Sequence, residues 1–307
     1  MILVTGATGF LGKAVCRLLE GRQQEFQSTS LSLGLDLRDE AATLDYFSEM
    51  KPDFVINCAA FVGGIQFGYK HPAELFSHNL KMTLSLLNAC HRAGIKRLIN
   101  PISNCAYPAD AALFKESEFW DGPLHDSVLA YGFARKASWV GSDSYAKQYG
   151  LDSVNLILSN MYGPGDHFDA ERSHALGALI SKIVDAKVRG FSEVVVWGTG
   201  KPVREWLYVE DGAEALFRAI RIPAKRDPIN IGVGKGISIY ALAELIKRKV
   251  GYEGNIMLDE SKPDGAAFKT VDGAMGREIL NWLPETTLDV GLGKTIADYE
   301  RLKSDEN

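Results

Sequence analysis

One turn constrains this chain more than any other feature. Thr5-Gly6-Ala7-Thr8-Gly9-Phe10-Leu11-Gly12 follows directly on the apolar run 2–5 and leads into a helical pattern. Its three glycines have separate tasks: Gly6 permits the tight turn, Gly9 lets backbone approach a pyrophosphate, and Gly12 allows close packing of helix on sheet. The helix start then offers free N–H groups and the positive end of its dipole to phosphate. A glycine-rich turn alone is weak evidence, but strand, position and following helix together point to a dinucleotide. The expected cofactor contacts here are Gly6, Thr8, Gly9, Phe10, Leu11 and Gly12.

The pattern beyond the turn supports the same fold. Apolar runs at 2–5, 27–31, 54–57, 97–102 and 153–158 read as buried strands, and spacings near 3.6 at 11–20, 40–50, 72–93 and 131–149 read as helices between them. Strand and helix in alternation imply an α/β chain: a Rossmann-type, doubly wound parallel sheet with right-handed crossovers. After about Gly163 the texture changes. Helices near 175–186, 211–220, 239–250 and 290–302, with a short strand at 194–197, predict a smaller C-terminal α/β lobe over the carboxyl ends of the strands. We expect a dinucleotide-binding domain over 1–162, with the chain returning to it around 205–235, and a mainly substrate-binding domain over 163–307.

Charge and cysteine usage exclude several classes. Lys and Arg number 34 against 39 Asp and Glu, and they are scattered, so nothing suggests a nucleic-acid partner. Cys16, Cys58, Cys90 and Cys105 stand singly without Cys-x-x-Cys spacing, which fits a reducing compartment and argues against a metal site. The cytoplasm is expected, and no apolar run suits a signal peptide or a membrane span. Cofactor choice turns on the end of the second strand, where an acidic residue would bind the ribose hydroxyls of NAD. Here the stretch is Ser28-Thr29-Ser30-Leu31-Ser32. Without a carboxylate a 2′-phosphate meets no repulsion, so NADP is expected, with Lys13 or Arg38 assisting and NAD left open. Asp36, followed by Leu37, either accepts a hydrogen bond from the adenine amino group or serves as a helix N-terminal charge; the adenine contact is the favoured reading.

Chemistry enters with Ser103 after a strand and Tyr131 opening a helix, the serine and tyrosine that extended short-chain dehydrogenases place around nicotinamide. Their Tyr-x-x-x-Lys spacing is broken: Tyr131-Gly132-Phe133-Ala134-Arg135 puts arginine at the fourth place, with Lys136 one residue late. A helix turns about 100° per residue, so Lys136 leaves on another side. Further segments narrow the resemblance. Ala59-Ala60-Phe61-Val62-Gly63-Gly64-Ile65, Ser103-Asn104-Cys105-Ala106-Tyr107-Pro108, Asn160-Met161-Tyr162-Gly163-Pro164, Ser173-His174, Val196-Trp197-Gly198-Thr199-Gly200, Arg204-Glu205 and Ser261-Lys262-Pro263-Asp264-Gly265 together resemble the GDP-L-fucose synthase family essentially end to end.

That resemblance implies epimerisation of GDP-4-keto-6-deoxy-mannose beside its ketone, then reduction of carbon 4 with hydride from NADPH. It makes Cys105 and His174 the acid/base pair, and Ser103 and Tyr131 the donors to the 4-oxygen, with Arg135 in the lysine's place. Ala59, Ala60, Tyr131 and Arg135 join the cofactor contacts. Lys182, Arg204 and Lys269 are implied to face the diphosphate, Trp197 to line the substrate, and Asn160 to stand beside nicotinamide and sugar. The chemistry suits these types, because inverting a centre next to a ketone needs two proton carriers and a held oxygen. Cysteine and histidine both titrate near neutral pH. Taken singly, a lone cysteine is ordinarily core and a histidine at a helix start ordinarily caps or faces water. Alternatives stay open: an epimerase with weak or no reduction because of Arg135, a related epimerase or 4-reductase for another nucleotide sugar, or a non-catalytic sensor on an enzyme fold. A homodimer through the helices at 72–93 and 131–149 is expected, with Leu80, Leu84, Leu87, Trp139 and Val140 serving core or interface.

Overall fold

The computed structural model describes residues 1–169 and 173–305, apart from the side chain of Ile65; residues 170–172 and the last two of the expected substrate domain lie outside it. The first half runs β1 (Ile2–Thr5), α1 (Phe10–Gly21), β2 (Phe26–Thr29), α2 (Glu40–Met50), β3 (Phe54–Asn57), α3 (Ile65–Lys70), α4 (Pro72–Arg92), β4 (Arg97–Ser103), α5 (Leu129–Tyr149) and β5 (Ser153–Leu158). The second half runs β6 (Asn160–Tyr162), α6 (Ala175–Arg189), β7 (Glu193–Trp197), β8 (Val203–Tyr208), α7 (Val209–Ala219), β9 (Ile229–Ile231), β10 (Gly236–Ser238), α8 (Ile239–Val250), β11 (Asn255–Asp259), β12 (Phe268–Lys269), α9 (Ala274–Leu280) and α10 (Leu288–Asp305).

β1 and β5 are buried along their whole length, which a strand tolerates only when both faces of its sheet are covered. The sheet is parallel throughout, in the order β2-β1-β3-β4-β5-β9. Its sixth strand, β9, comes from the second half of the chain and pairs with β5. Arg97 fastens the segment leading to it: its guanidinium donates to the carbonyls of Ala219, Ile220 and Ile222 at the end of α7 while pairing with Asp152 at 2.6 Å. A cation there also meets the negative end of the helix dipole.

A buried polar row crosses the sheet below its carboxyl edge. Thr5 donates to Asn57 at 2.8 Å, Asn57 donates to Asn100 at 3.4 Å, and Asn100 donates to Asn155 at 2.9 Å and to Ser138 of α5 at 3.0 Å. Buried amides are costly when unpaired, so this row holds four strands and α5 in one register. It thereby positions the residues that leave the ends of β4 and α5.

The second core is separate. Leu176, Ile180, Ile183, Val194, Val196, Leu242, Ile246, Leu292 and Ile296 join α6, α8 and α10 to the parallel pair β7 and β11. A small sheet of β10, β8 and β12, with β6 on β8, lies between the two cores.

Several elements depart from expectation, among them β2, α5 and α10. β2 ends at Thr29 because the Ser30 hydroxyl accepts the Leu33 N–H and starts a short 3₁₀ turn at Leu31–Leu33. α5 begins two residues early, so Tyr131 is its third residue. α10 runs longer than 290–302 at both ends. No described helix is long and apolar enough to cross a membrane, and no described group of His, Cys, Asp and Glu could hold a metal ion.

Candidate active site

A cavity of about 580 Å³ runs along the carboxyl edge of the sheet. One end is the glycine turn. Gly6 adopts φ +65° and lies so close to Ala59 that a Cβ would stand 2.5 Å from its nitrogen, and a Cβ on Gly12 would collide with the Gly6 carbonyl. The turn therefore packs as expected of a dinucleotide cradle. Gly9 is the N-cap of α1 and lines the cavity with Phe10, Leu11, Ala59 and Ala60, so the first-turn N–H groups face a space of the right kind for a pyrophosphate. At the end of β2, Thr8 stands 3.0 Å from the Ser30 hydroxyl and 2.9 Å from that of Ser32. Three hydroxyls thus occupy the place of the ribose-binding carboxylate. Asp36 uses both oxygens on Arg38, with its carboxyl held below the usual range chiefly by that hydrogen bond. The helix-charge role falls instead to Asp39, which caps α2. Arg38 is correspondingly held by Asp36 rather than free.

The residues expected to react gather on the same cavity. Ser103 ends β4, and its hydroxyl accepts the Cys105 N–H at 3.2 Å within a short 3₁₀ turn. Ser103, Cys105, Tyr131, Arg135, Asn160, His174 and Lys269 all line the cavity. Burial pushes the Tyr131 phenol up, partly offset by the Arg135 guanidinium, so it stands as a proton donor at neutral pH. Arg135 is buried, donates to the Pro101 carbonyl, and leaves its Nε without a protein partner among the described residues. Lys136 does not reach the cavity: its ammonium lies 4.8 Å from the Phe119 ring and 4.5 Å from the Trp120 ring. No backbone shift brings it into the lysine's slot.

His174 precedes α6 as its N-cap and caps nothing with its ring. The ring is exposed to the open cavity yet walled by protein on its other sides. That desolvation pulls its pKa from 6.5 to about 4, with the charges of Lys269 and His167 adding to the effect. Lys269 sits 3.5 Å from Cys105 Sγ.

The expected substrate residues do not form one group. Lys182 donates to the Val195 carbonyl and stands 5.7 Å from the Trp197 ring, with Lys262 on that ring at 5.5 Å; Lys182 and Trp197 are not among the cavity-lining residues. Arg204 is buried, donating to the carbonyls of Val203 and Asp264, close enough to Cys105 for their charges to interact. Lys269 therefore parts company with Lys182: it lines the cavity beside the Cys105 sulfur, and Lys182 does not. Sequence reasoning missed two contributors. Asp264 accepts the Thr199 N–H at 2.7 Å and its hydroxyl at 2.8 Å, joining the 196–200 and 261–265 segments, which the sequence showed only as separate motifs. Asp166 lines the cavity with one buried oxygen that has no partner among the described residues, and burial lifts its carboxyl to about 7. A carboxyl in a glycine-rich loop carries no sequence signal of burial.

Comparison with known proteins agrees with this geometry. Residues 2–232 match the NAD dependent epimerase/dehydratase family. The chain is 37% identical over 301 residues to GDP-L-fucose synthase 1 of Arabidopsis thaliana, covering 97% of this chain and 92% of that protein. Among solved structures it superposes with TM-score 0.89 and 31% identity on a GDP-L-fucose synthetase from Naegleria fowleri bound to NADP, covering 99% of this chain and 93% of the other. A GDP-6-OMe-4-keto-L-xylo-heptose reductase from C. jejuni superposes with TM-score 0.91 at 26% identity, covering 99% and 97%.

The low His174 pKa has a checkable sign. Between pH 6.5 and about 4 the unfolded chain accepts a proton that the folded site refuses, so stability falls as pH drops through that window. Histidine-selective NMR should show one imidazole titrating near 4, missing from His174→Asn, whose stability should also decline less steeply over the window. A His174 resonance with a midpoint at 6.5 would overturn the account.

Proposed function

The chain belongs to the NAD dependent epimerase/dehydratase family, in its GDP-L-fucose synthase branch, and from that premise we propose that it epimerises a GDP-4-keto-6-deoxy-mannose-type sugar beside the ketone and reduces carbon 4. It is an NAD(P)-dependent nucleotide-sugar epimerase/reductase. The observation carrying this reading is that Cys105, His174, Ser103 and Tyr131 surround one cavity continuous with the glycine cradle. NADP is the cofactor of choice, because the Thr8, Ser30 and Ser32 hydroxyls offer a 2′-phosphate hydrogen bonds where a carboxylate would repel it. Bound there, NADPH supplies the hydride for carbon 4.

The chain's own residues divide the remaining work. Ser103 and Tyr131 hold the 4-oxygen, which draws electron density from the neighbouring carbons and makes their protons removable. Cys105 and His174 remove a proton on one face of the sugar and return one on the other. Tyr131, kept protonated by burial, gives its proton to the 4-oxygen in the reductive step. Trp197 and Lys182 hold the nucleotide end, and Asn160, fixed by donating to the Glu205 carbonyl at 3.0 Å, orients the sugar. Two copies assemble through α4 and α5, where Leu84 is 60% and Val140 43% exposed; Leu87 belongs to the core, and Trp139 is packed with Phe119 and Trp120.

Three outcomes test this. In heavy water with GDP-4-keto-6-deoxy-mannose, the protein should place deuterium at the carbons flanking the ketone. Cys105→Ser and His174→Asn should lose that uptake while still binding the nucleotide sugar; unaltered exchange in both removes their assignment. Arginine keeps the lysine's charge but cannot lend a proton, and its fork fits a lysine's slot poorly. Stopped-flow NADPH oxidation should therefore be slow, and Arg135→Lys should speed it at least roughly tenfold, about 1.4 kcal/mol of barrier. Fast native reduction, unchanged by the substitution, would contradict an impaired reductase. Sedimentation at micromolar concentration should show a dimer, and a monomer there would refute the α4–α5 assembly.

A further inference from the structure

We propose that Lys269 is a positioning residue for proton exchange: its ammonium, 3.5 Å from Cys105 Sγ, holds the sulfur in its anionic form each time the thiol proton leaves. The inference rests on the reading that Cys105 carries a substrate proton, and it assigns Lys269 to that sulfur instead of to the diphosphate.

The chain builds this contact deliberately. β12 is two residues long and pairs in parallel with β8, with Lys269 beside Arg204. The backbone that follows is pinned: the Val271 N–H donates to the Glu205 carboxylate at 2.8 Å, and the Phe114 N–H donates to the Thr270 carbonyl at 2.8 Å. Phe268 faces solvent while Lys269, on the opposite side of the strand, lines the cavity. Among the described residues Lys269 forms no ion pair, although acidic side chains elsewhere pair freely with surface lysines. A half-buried ammonium without a carboxylate is costly, and the atom it meets is a sulfur that can become an anion. Arg204, buried nearby, adds a second positive charge.

The proton balance is simple. When the thiol acts as acid, the S–H bond breaks, its electron pair stays on sulfur, and the proton goes to the carbon beside the ketone. When it acts as base, the C–H bond breaks, its pair moves toward the 4-oxygen, and the proton joins sulfur. In both directions the anionic partner at this position is the thiolate, and Lys269 keeps its own protons, donating an N–H to that sulfur. The same charge disfavours a proton on His174, so one cation biases both carriers in opposite senses. Through-space attraction of this kind is strong in a cavity partly closed to water.

The test compares Lys269→Met, which removes the charge at similar bulk, with Lys269→Arg, which keeps it. Lys269→Gln serves if the methionine variant misfolds. The first readout needs no substrate: alkylation of Cys105 by iodoacetamide against pH, followed at the Cys105 peptide by mass spectrometry. Cys16, Cys58 and Cys90 are held protonated by burial and stay out of the way. Lys269→Met should slow alkylation at pH 7 roughly tenfold and move its pH profile about one unit upward, while Lys269→Arg retains most of the native profile. The second readout is deuterium uptake into the keto-sugar, expected to lose roughly tenfold in kcat with KM changed less than about threefold. An unmoved alkylation profile, or a loss confined to KM, overturns the proposal and returns Lys269 to phosphate binding. Failure of the broader functional reading is distinguishable, since it abolishes uptake in the native protein and leaves the alkylation result standing.

Discussion

The carboxylate of Glu205 is the joint on which the site depends. It is fully buried in β8, accepts the N–H of Val271 beside β12 at 2.8 Å, and accepts the N–H of Val233 just after β9. One side chain therefore ties the last strand of the large sheet to the strand that presents Lys269. Burial raises the carboxyl's pKa, and the backbone donors oppose that rise by bonding to the charged form. The arrangement is stiff because each donor would cost roughly 1–3 kcal/mol if left unpaired in the interior. Cys105 in the turn after β4 and Lys269 on β12 stay in register across two folding units because the backbone between them is pinned.

The same logic explains why one residue of offset matters at Arg135. α5 runs unbroken from Leu129 to Tyr149, so the residue four after Tyr131 shares its face and the residue five after does not. Lys136 is accordingly absorbed by two aromatic rings, where its ammonium gains cation–π attraction and its pKa falls through burial. The charge in the cavity is arginine's alone at this position. Arginine holds its proton at any accessible pH, so in the proposed reduction a proton given up by Tyr131 would be replaced from water or a neighbouring hydroxyl rather than from a lysine relay.

Much of the large sheet was legible because strands buried on both faces must be continuous apolar runs; β1, β3 and β5 fall where those runs lie. The cradle was legible for a different reason, since glycines forced by close approach recur at fixed spacing. β6, β10 and β12 were not, because two or three residues have no period to read. β8 was hidden by its own function: Arg204 and Glu205 interrupt its apolar pattern, and both are buried through partners far away in the chain. Lys182 and Lys269 looked alike as isolated lysines. Only the tertiary arrangement, which sets one on an indole and the other on a thiol, separates them.

That separation has a consequence for how binding energy is used. Lys182, Trp197 and Lys262 form a platform outside the reactive cavity, while the Asp264 carboxylate locks the loop after Trp197 to the loop that carries Lys262. Contacts to a part of the substrate that does not change during reaction strengthen ground state and transition state equally, lowering KM without raising kcat. Ser103, Cys105, Tyr131, His174 and Lys269 instead line the cavity where the proposed reaction would change charge, and only interactions that strengthen there accelerate chemistry. A cation spent on a diphosphate belongs to the first kind, and a cation held against a sulfur that alternates between thiol and thiolate belongs to the second. In the role proposed for it, Lys269, placed beside the Cys105 sulfur, belongs to the second kind.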